Sequence, residues 1–296
     1  MKVALLLIYC VLPALPAPAA GAESPPPPAA AETAAGEGNE ALPRPRLLWQ
    51  FKSKGPYDAE PAVSGGLVVA GDRAGILTCL EADSGRRIWS RRFSGYFSAP
   101  PVIEEEKVYI SVSRREVTVS REPGGGIFGS PPRVTRTVEE DGEIRCLDLQ
   151  NGRRRWKRPL PAPIHSSPVP AGDRLVAGCL DYKIYCLDRA TGSIVWEFKA
   201  GALIDASPIV CGGRVVAGSR DGSLFCLDLG GGSQFWRVDL GSGVSVAPVC
   251  RDGRIYAGAD NENLYCLVNY PEEAGGGKSD SVIILVAASQ DAKPVS

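Results

Sequence analysis

The stretch from Lys183 to Trp196, KIYCLDRATGSIVW, decides the fold of this chain. Two short runs of apolar, β-branched and aromatic residues flank a turn that contains Gly192. Such runs on either side of a glycine turn are typical of an antiparallel β-hairpin. Related hairpins occur elsewhere in the chain, which indicates that this one belongs to a repeated unit.

Three residue types share the register of the repeat. The tryptophans follow one another at intervals of 40, 67, 40 and 40 residues, at Trp49, Trp89, Trp156, Trp196 and Trp236. Five cysteines, at Cys79, Cys146, Cys186, Cys226 and Cys266, follow one another at intervals of 67, 40, 40 and 40 residues. Five prolines have the spacing of the tryptophans, at Pro61, Pro101, Pro168, Pro208 and Pro248. The longer interval indicates that one of the units carries an insertion of 27 residues.

Each unit contains four short strands, A to D, and this is the composition of a propeller blade. The sequence therefore predicts an all-β fold, a five-bladed β-propeller of four-stranded antiparallel blades. The strand that carries Trp49 precedes every A strand, and no tryptophan follows Cys266. We expect this N-terminal strand to become strand D of the last blade and to close the ring. The alternative is that residues 281–288, SVIILVAA, form strand D of that blade or an extra edge strand.

The segments from Glu81 to Trp89 and from Leu187 to Trp196 resemble the repeat of pyrroloquinoline-quinone-type (PQQ-like) propellers, and those from Asp148 to Trp156 and from Asp228 to Trp236 match it as well. The fifth copy departs from the pattern, because Val268-Asn269-Tyr270-Pro271 replaces the Asp and the glycine turn. The resemblance implies that each tryptophan docks against the neighbouring blade. It also implies one of two functions. One branch of the family oxidises alcohols or sugars with a bound quinone and calcium, and another assembles outer-membrane proteins without catalysis.

The chain ends outside the repeat have their own character. Residues 1–22 have the charge, apolar core and final Ala-x-Ala step of a secretory signal peptide, with lipidation at Cys10 as a less favoured alternative. Residues 23–46 read as a Pro/Ala-rich disordered tether, residues 47–270 as the propeller, and residues 271–296 as a tail. We expect a periplasmic or secreted, monomeric protein with no transmembrane span once the signal is removed.

Composition excludes several functions. The net charge of −1 gives no reason to expect a nucleic-acid partner. A single histidine leaves little for a catalytic triad or a His-ligated metal site, so no catalytic residue, metal or cofactor is predicted. The five repeated cysteines are expected to be small buried hydrophobes. Cys211 and Cys250 end A strands in neighbouring blades at positions that are not equivalent, so a bond between them is the less favoured alternative.

Two regions are candidates for binding. The loops between strands D and A place one polar residue per blade around one mouth of the channel, at Asp58, Ser98, His165, Asp205 and Ser245, with Tyr57, Tyr96 and Phe97 beside them. These rim residues are either ordinary solvated loop residues or a site for a cation or small ligand, held through Asp58, Asp205 and His165.

The second region is the insertion at residues 114–140, predicted to be an extended β-ribbon that stands over the same rim. Its tip carries Ile127 and Phe128, and exposed apolar residues on a loop favour a protein contact. The alternative interpretation is an insertion that has no binding function. We therefore predict a non-catalytic protein-binding or scaffolding module with a protein partner in the cell envelope. The alternative is a PQQ- or calcium-dependent oxidoreductase-like protein.

Overall fold

The computed structural model describes residues 46–122, 133–268 and 283–287. The chain divides into two units, Met1–Arg46 and Leu47–Ser296, and the second contains every strand described below. Among the described residues there is no helix, and therefore none that is long and apolar enough to span a membrane.

Twenty strands form five antiparallel sheets of four strands each. Sheet 1 contains β1 (Ala62–Ser64), β2 (Leu67–Gly71), β3 (Ile76–Glu81) and β4 (Arg87–Arg92). Sheet 2 contains β5 (Val102–Glu104), β6 (Lys107–Glu122), β7 (Arg133–Asp148) and β8 (Arg154–Leu160). Sheet 3 contains β9 (Val169–Ala171), β10 (Arg174–Cys179), β11 (Lys183–Asp188) and β12 (Ile194–Lys199). Sheet 4 contains β13 (Ile209–Cys211), β14 (Arg214–Gly218), β15 (Ser223–Asp228) and β16 (Gln234–Asp239). Sheet 5 contains β17 (Val249–Arg251), β18 (Arg254–Gly258), β19 (Leu264–Val268) and β20 (Ile283–Ala287).

Sheets 2, 3 and 4 each pack through both of their faces. Because side chains alternate along a strand, one row points toward the next sheet (the forward face) and the other toward the preceding sheet (the rear face). At the junction of sheets 3 and 4, Val176 and Cys186 of the forward face pack with Val215 and Leu227 of the rear face. Equivalent clusters join sheets 1 and 2, 2 and 3, and 4 and 5. These four junctions contain the hydrophobic core of the described chain.

The tryptophan of each outer strand fastens one sheet to the next. Trp196 donates its indole N–H to the carbonyl oxygen of Leu229, 2.9 Å away, and its ring lies against Gly232. Trp89 and Trp156 make the same contacts, with the carbonyls of Leu149 and Arg189. Gly232 has a φ of +74°, and a Cβ there would lie 2.6 Å from the Trp196 ring. The turn glycine of the repeat therefore both permits the left-handed backbone and makes room for the indole.

The N-terminal segment lies on sheet 1 in the way that an outer strand lies on the sheet after it. Trp49 donates to the carbonyl of Ala82 at 2.8 Å and its ring covers Gly85. The amide of Arg73 donates to the carbonyl of Pro56, a bond that recurs between the corresponding loop and turn of sheets 2 to 5. Residues 46–60 nevertheless belong to no strand.

The structure differs from the predicted closure by the N-terminal strand. The fourth strand of sheet 5 is β20, which pairs with β19 from Leu264↔Ala287 to Val268↔Ile283. This strand falls within residues 281–288, the alternative offered by the sequence. The apolar run that follows β19 in the chain thus supplies the fourth strand of sheet 5. No hydrophobic cluster joins sheet 5 to sheet 1 among the described residues.

The expectation for Cys211 and Cys250 was wrong, because they form a disulfide with Cα atoms 6.3 Å apart. The first strands of neighbouring sheets, here β13 and β17, lie side by side. Positions that are not equivalent in the repeat thus come within the roughly 7 Å that a disulfide can bridge. None of the five repeated cysteines is part of a disulfide, and all but Cys266 are buried.

Candidate functional site

The polar loop residues of the rim are engaged by neighbouring turns. Asp58 pairs with Arg73 at 3.0 Å, and Asp205 accepts from Nε of Arg220 at 2.7 Å. Each acid comes from the loop before a sheet and each arginine from the hairpin turn of that sheet. The carboxylates are therefore already neutralised by guanidinium groups, which lowers their capacity to hold a cation.

A continuous polar chain crosses from sheet 4 to sheet 5. Arg220 bridges Asp205 and Asp260, and Asp260 accepts from the hydroxyl of Ser245 at 2.6 Å. The hydrogen bond that Arg220 donates to Asp205 holds the pKa of Arg220 above its ordinary value. In this chain Asp205 Oδ1 is buried and has no hydrogen-bond partner. The arrangement fixes two loops and two turns in one surface.

His165 occupies the equivalent position in sheet 3 and is half-buried. Burial lowers the pKa of its imidazole, while the nearby carboxylates of Asp205 and Glu140 act in the opposite direction. The side chain is therefore neutral at pH 7. The ribbon base lies beside the rim, because the backbone of Tyr96 exchanges hydrogen bonds with Ser113 at that base.

The structure does not group the rim residues as metal ligands among the residues it describes. No group of three or more His, Cys, Asp and Glu residues that could hold a metal ion occurs in the described part of the chain. Asp58, Asp205 and His165 stand on different sheets, and Ser98 donates instead to the carbonyl of Ile164. The rim residues act mainly as links between loops.

The aromatic residues beside the rim differ in their exposure and in their contacts. Tyr57 is exposed, and the backbone of Tyr96 exchanges two hydrogen bonds with Ser113 at the ribbon base. Phe97 is 2% exposed, packs edge-to-face on Phe93 with centroids 5.5 Å apart, and covers Gly71. The prediction of Phe97 as a rim residue is therefore wrong. It belongs to the buried side of the alternating loop, where the repeat places Ile164, Ile204 and Val244.

The insertion of sheet 2 forms a two-stranded ribbon. β6 and β7 stay paired from Lys107↔Asp148 to Glu122↔Arg133, whereas β8 pairs with β7 no further than Gly142. Both strands therefore continue beyond their sheet, over the segment that the sequence assigned to the insertion. Ile127 and Phe128, the predicted partner-binding residues of the tip, lie outside the described residues.

Ion pairs hold the base of the ribbon. Arg114 pairs with Asp141 at 2.9 Å, and Arg115 pairs with Glu140 at 3.2 Å. Glu143 is 1% exposed and accepts from Arg145 Nε at 2.7 Å, while Arg114 lies 3.6 Å from its second oxygen. Arg145 also covers the ring of Phe93 in sheet 1. These contacts fix the direction in which the ribbon leaves the sheet.

Sequence reasoning missed this anchor, although its signal was present. Glu143 and Arg145 are two residues apart on one strand and so share a face. The equivalent residues of sheet 4, Ser223 and Phe225, carry no charge. No other copy of the repeat has an acid and a base together at these two positions, and this was the observation that could have found the anchor.

Three segments of the chain, residues 43–120, 111–200 and 180–269, match the model of a family described as outer membrane protein assembly factor BamB. BamB from Moraxella catarrhalis is similar in structure, with 18% identity, a TM-score of 0.58, and coverage of 84% of this chain and 78% of that chain. The quinohemoprotein alcohol dehydrogenase from Comamonas testosteroni has 13% identity and a TM-score of 0.54, over 77% of this chain and 45% of that chain. A search of curated protein sequences found no match. At these identities the two structures show a shared β-propeller fold and leave activity open.

Proposed function

Because the chain belongs to the PQQ-like repeat family of the outer membrane protein assembly factor BamB, we propose that it is an exported, non-catalytic propeller that binds a protein of the cell envelope. Family membership supports a role in assembly or scaffolding. The observation that carries the proposal to a particular surface is the ribbon of β6 and β7.

The ribbon presents both apolar side chains and open strand edges. Val117, Val119 and Val138 are exposed, and Val117 lies directly opposite Val138. Between Arg114 and Glu122, β6 pairs only with β7 among the described residues, so its outer edge offers unpaired backbone groups. An exposed edge is a template for an added strand, and apolar side chains on one face give such an addition its affinity. We infer that the partner contributes an extended segment.

Export is supported by two independent features. The first 22 residues read as a signal peptide. The Cys211–Cys250 disulfide is of the kind that persists in oxidising compartments such as the periplasm and is rare in the cytosol.

The rival function is quinone- and calcium-dependent oxidation. It requires carboxylates free to hold calcium, whereas Asp58 and Asp205 are paired with arginines. We expect that adding pyrroloquinoline quinone and calcium to the purified chain leaves the absorbance spectrum of the quinone unchanged. A shifted spectrum that depends on both additions would favour the oxidoreductase.

The binding proposal is tested by capture from the envelope fraction with the chain as bait, followed by direct binding of the captured protein in purified form. The test variant carries Val117→Lys and Val119→Lys. The matched control carries Ile194→Lys and Val195→Lys, two exposed apolar residues of β12. We expect the ribbon variant to lose the partner and the control to keep it. Equal capture by both variants, or by a chain lacking residues 114–140, would contradict the proposal.

A further inference from the structure

The forward face of sheet 5 is exposed where every other forward face is buried. Leu264 is 54% exposed, whereas the residues at the same position in sheets 1 to 4 are fully buried: Leu77, Ile144, Ile184 and Leu224. Val249 and Val246 are 58% and 55% exposed. Tyr256 and Cys266 are partly exposed, although Val216 and Cys226 of sheet 4 are buried. The face thus has the apolar residues of a sheet junction without the neighbouring sheet.

The rear face of sheet 1 is the counterpart at its β2 positions, although Thr78 and Leu80 of β3 on the same face are buried. Val68 and Ala70 are partly exposed. Their equivalents in the other sheets are buried: Val108 and Ile110, Leu175 and Ala177, Val215 and Ala217, Ile255 and Ala257. Four junctions of the chain join a forward face to a rear face, and these two faces remain without such a junction among the described residues.

We propose that the forward face of sheet 5 in one copy binds the rear face of sheet 1 in a second copy. The contact continues an interface that the chain already makes four times, with the same residue types in the same register. Tyr256, Leu264 and Cys266 repeat the pattern of Tyr109, Ile144 and Cys146, which pack on sheet 3. Because the two faces differ, the association is head-to-tail, and it closes into a ring or extends according to its rotation.

The N-terminal segment completes the shared junction. Trp49 already occupies on sheet 1 the position of a docking tryptophan. At the other sheets this tryptophan pairs across the strands with the repeated cysteine, as in Cys226↔Trp236, but in sheet 5 the residue opposite Cys266 is Leu285. When the two faces join, Leu47–Phe51 of the second copy therefore reaches the outer edge of β19 in the first copy. There it takes the place of β20, which leaves that edge. This self-association does not depend on the ribbon or on the envelope partner.

Sedimentation velocity of the full chain without its signal, over a range of concentrations, tests the proposal. The forward-face variant is Leu264→Glu, the rear-face variant is Val68→Glu, and the control is Val195→Glu, an exposed residue of β12. The unmodified chain and the control should form dimers or larger assemblies. Each face variant alone should be monomeric. A mixture of the two should restore a 1:1 dimer and nothing larger, because each supplies the face that the other lacks.

Hydrogen exchange on the unmodified chain gives a second readout that no misfolded variant can affect. With rising concentration, exchange should slow at Leu67–Gly71 and Arg254–Gly258 and quicken at Ile283–Ala287. The proposal is overturned if the unmodified chain stays monomeric at every concentration. It is also overturned if the two face variants stay monomeric when mixed and the exchange of the unmodified chain does not depend on concentration. Assembly that persists in both face variants would overturn it as well.

Discussion

Replacing Gly232 with alanine should weaken the junction between sheets 3 and 4 by a measurable amount. Gly232 has a φ of +74°, and an added Cβ would lie 2.6 Å from Cδ2 of Trp196. Gly66 is a matched control because its φ is +73° and an added Cβ would meet no atom within 4 Å. The two substitutions therefore share the backbone strain and differ in the overlap with the indole.

The expected magnitudes follow from these two terms. The left-handed backbone costs an alanine roughly 1–2 kcal/mol at either position. The overlap with a ring that is held on its other side adds about 1–3 kcal/mol at Gly232, the usual cost of overpacking a core. We therefore expect Gly66→Ala to lower the free energy of unfolding by about 1–2 kcal/mol and Gly232→Ala by about 2–5 kcal/mol.

Urea unfolding followed by tryptophan fluorescence and by circular dichroism measures both values. The fluorescence of Gly232→Ala should also change in the native state, because the Trp196 indole has to shift from its position. Equal losses of stability for the two variants, with an unchanged native spectrum, would refute the idea that the indole of the docking tryptophan packs against the turn glycine.

Three further outcomes are expected. Replacing Cys211 and Cys250 with serine should lower the free energy of unfolding by up to about 4 kcal/mol, the loop-closure value for a sequence separation of 39, and should abolish the sensitivity to reductant that we expect of the unmodified chain. Since burial lowers the pKa of His165 below 6.5, protonation favours the unfolded chain, so stability should fall as the pH drops through 6.5, and His165→Asn should flatten that part of a stability-against-pH curve. Glu143→Ala should cost about 1–3 kcal/mol in urea unfolding because it removes the carboxylate partner of Arg145, whose side chain is largely covered, whereas Glu81→Ala, at an exposed pair, should cost little. Reductant-insensitive stability, an unchanged pH curve or equal losses at the two glutamates would contradict the respective expectation.

The repeated part of the fold could be predicted from the sequence because each unit carries its own signals. The interval between Trp196 and Trp236 fixes the unit, and the glycine turn at Gly232 fixes the hairpin within it. These are local patterns that recur, so each copy supports the interpretation of the others. The first four sheets and the first three strands of sheet 5 follow from them.

The junctions could not be predicted, since they depend on distances between units. Whether Leu285 or Trp49 faces Cys266 is a competition between two segments that both have strand character. Cys211 and Cys250 meet because two first strands lie side by side, which the register of the repeat does not reveal. At the candidate site, Asp58 and Asp205 lie on loops between strands, and their arginine partners come from turns whose side-chain direction the sequence leaves open.

The most direct test of the functional proposal is hydrogen exchange of the chain alone and in complex with the captured envelope protein. Binding through the ribbon predicts slower exchange in residues 114–122 and 133–141, with no change at the turns before Trp156 and Trp196. Unchanged exchange in the ribbon, with protection at those turns instead, would contradict it.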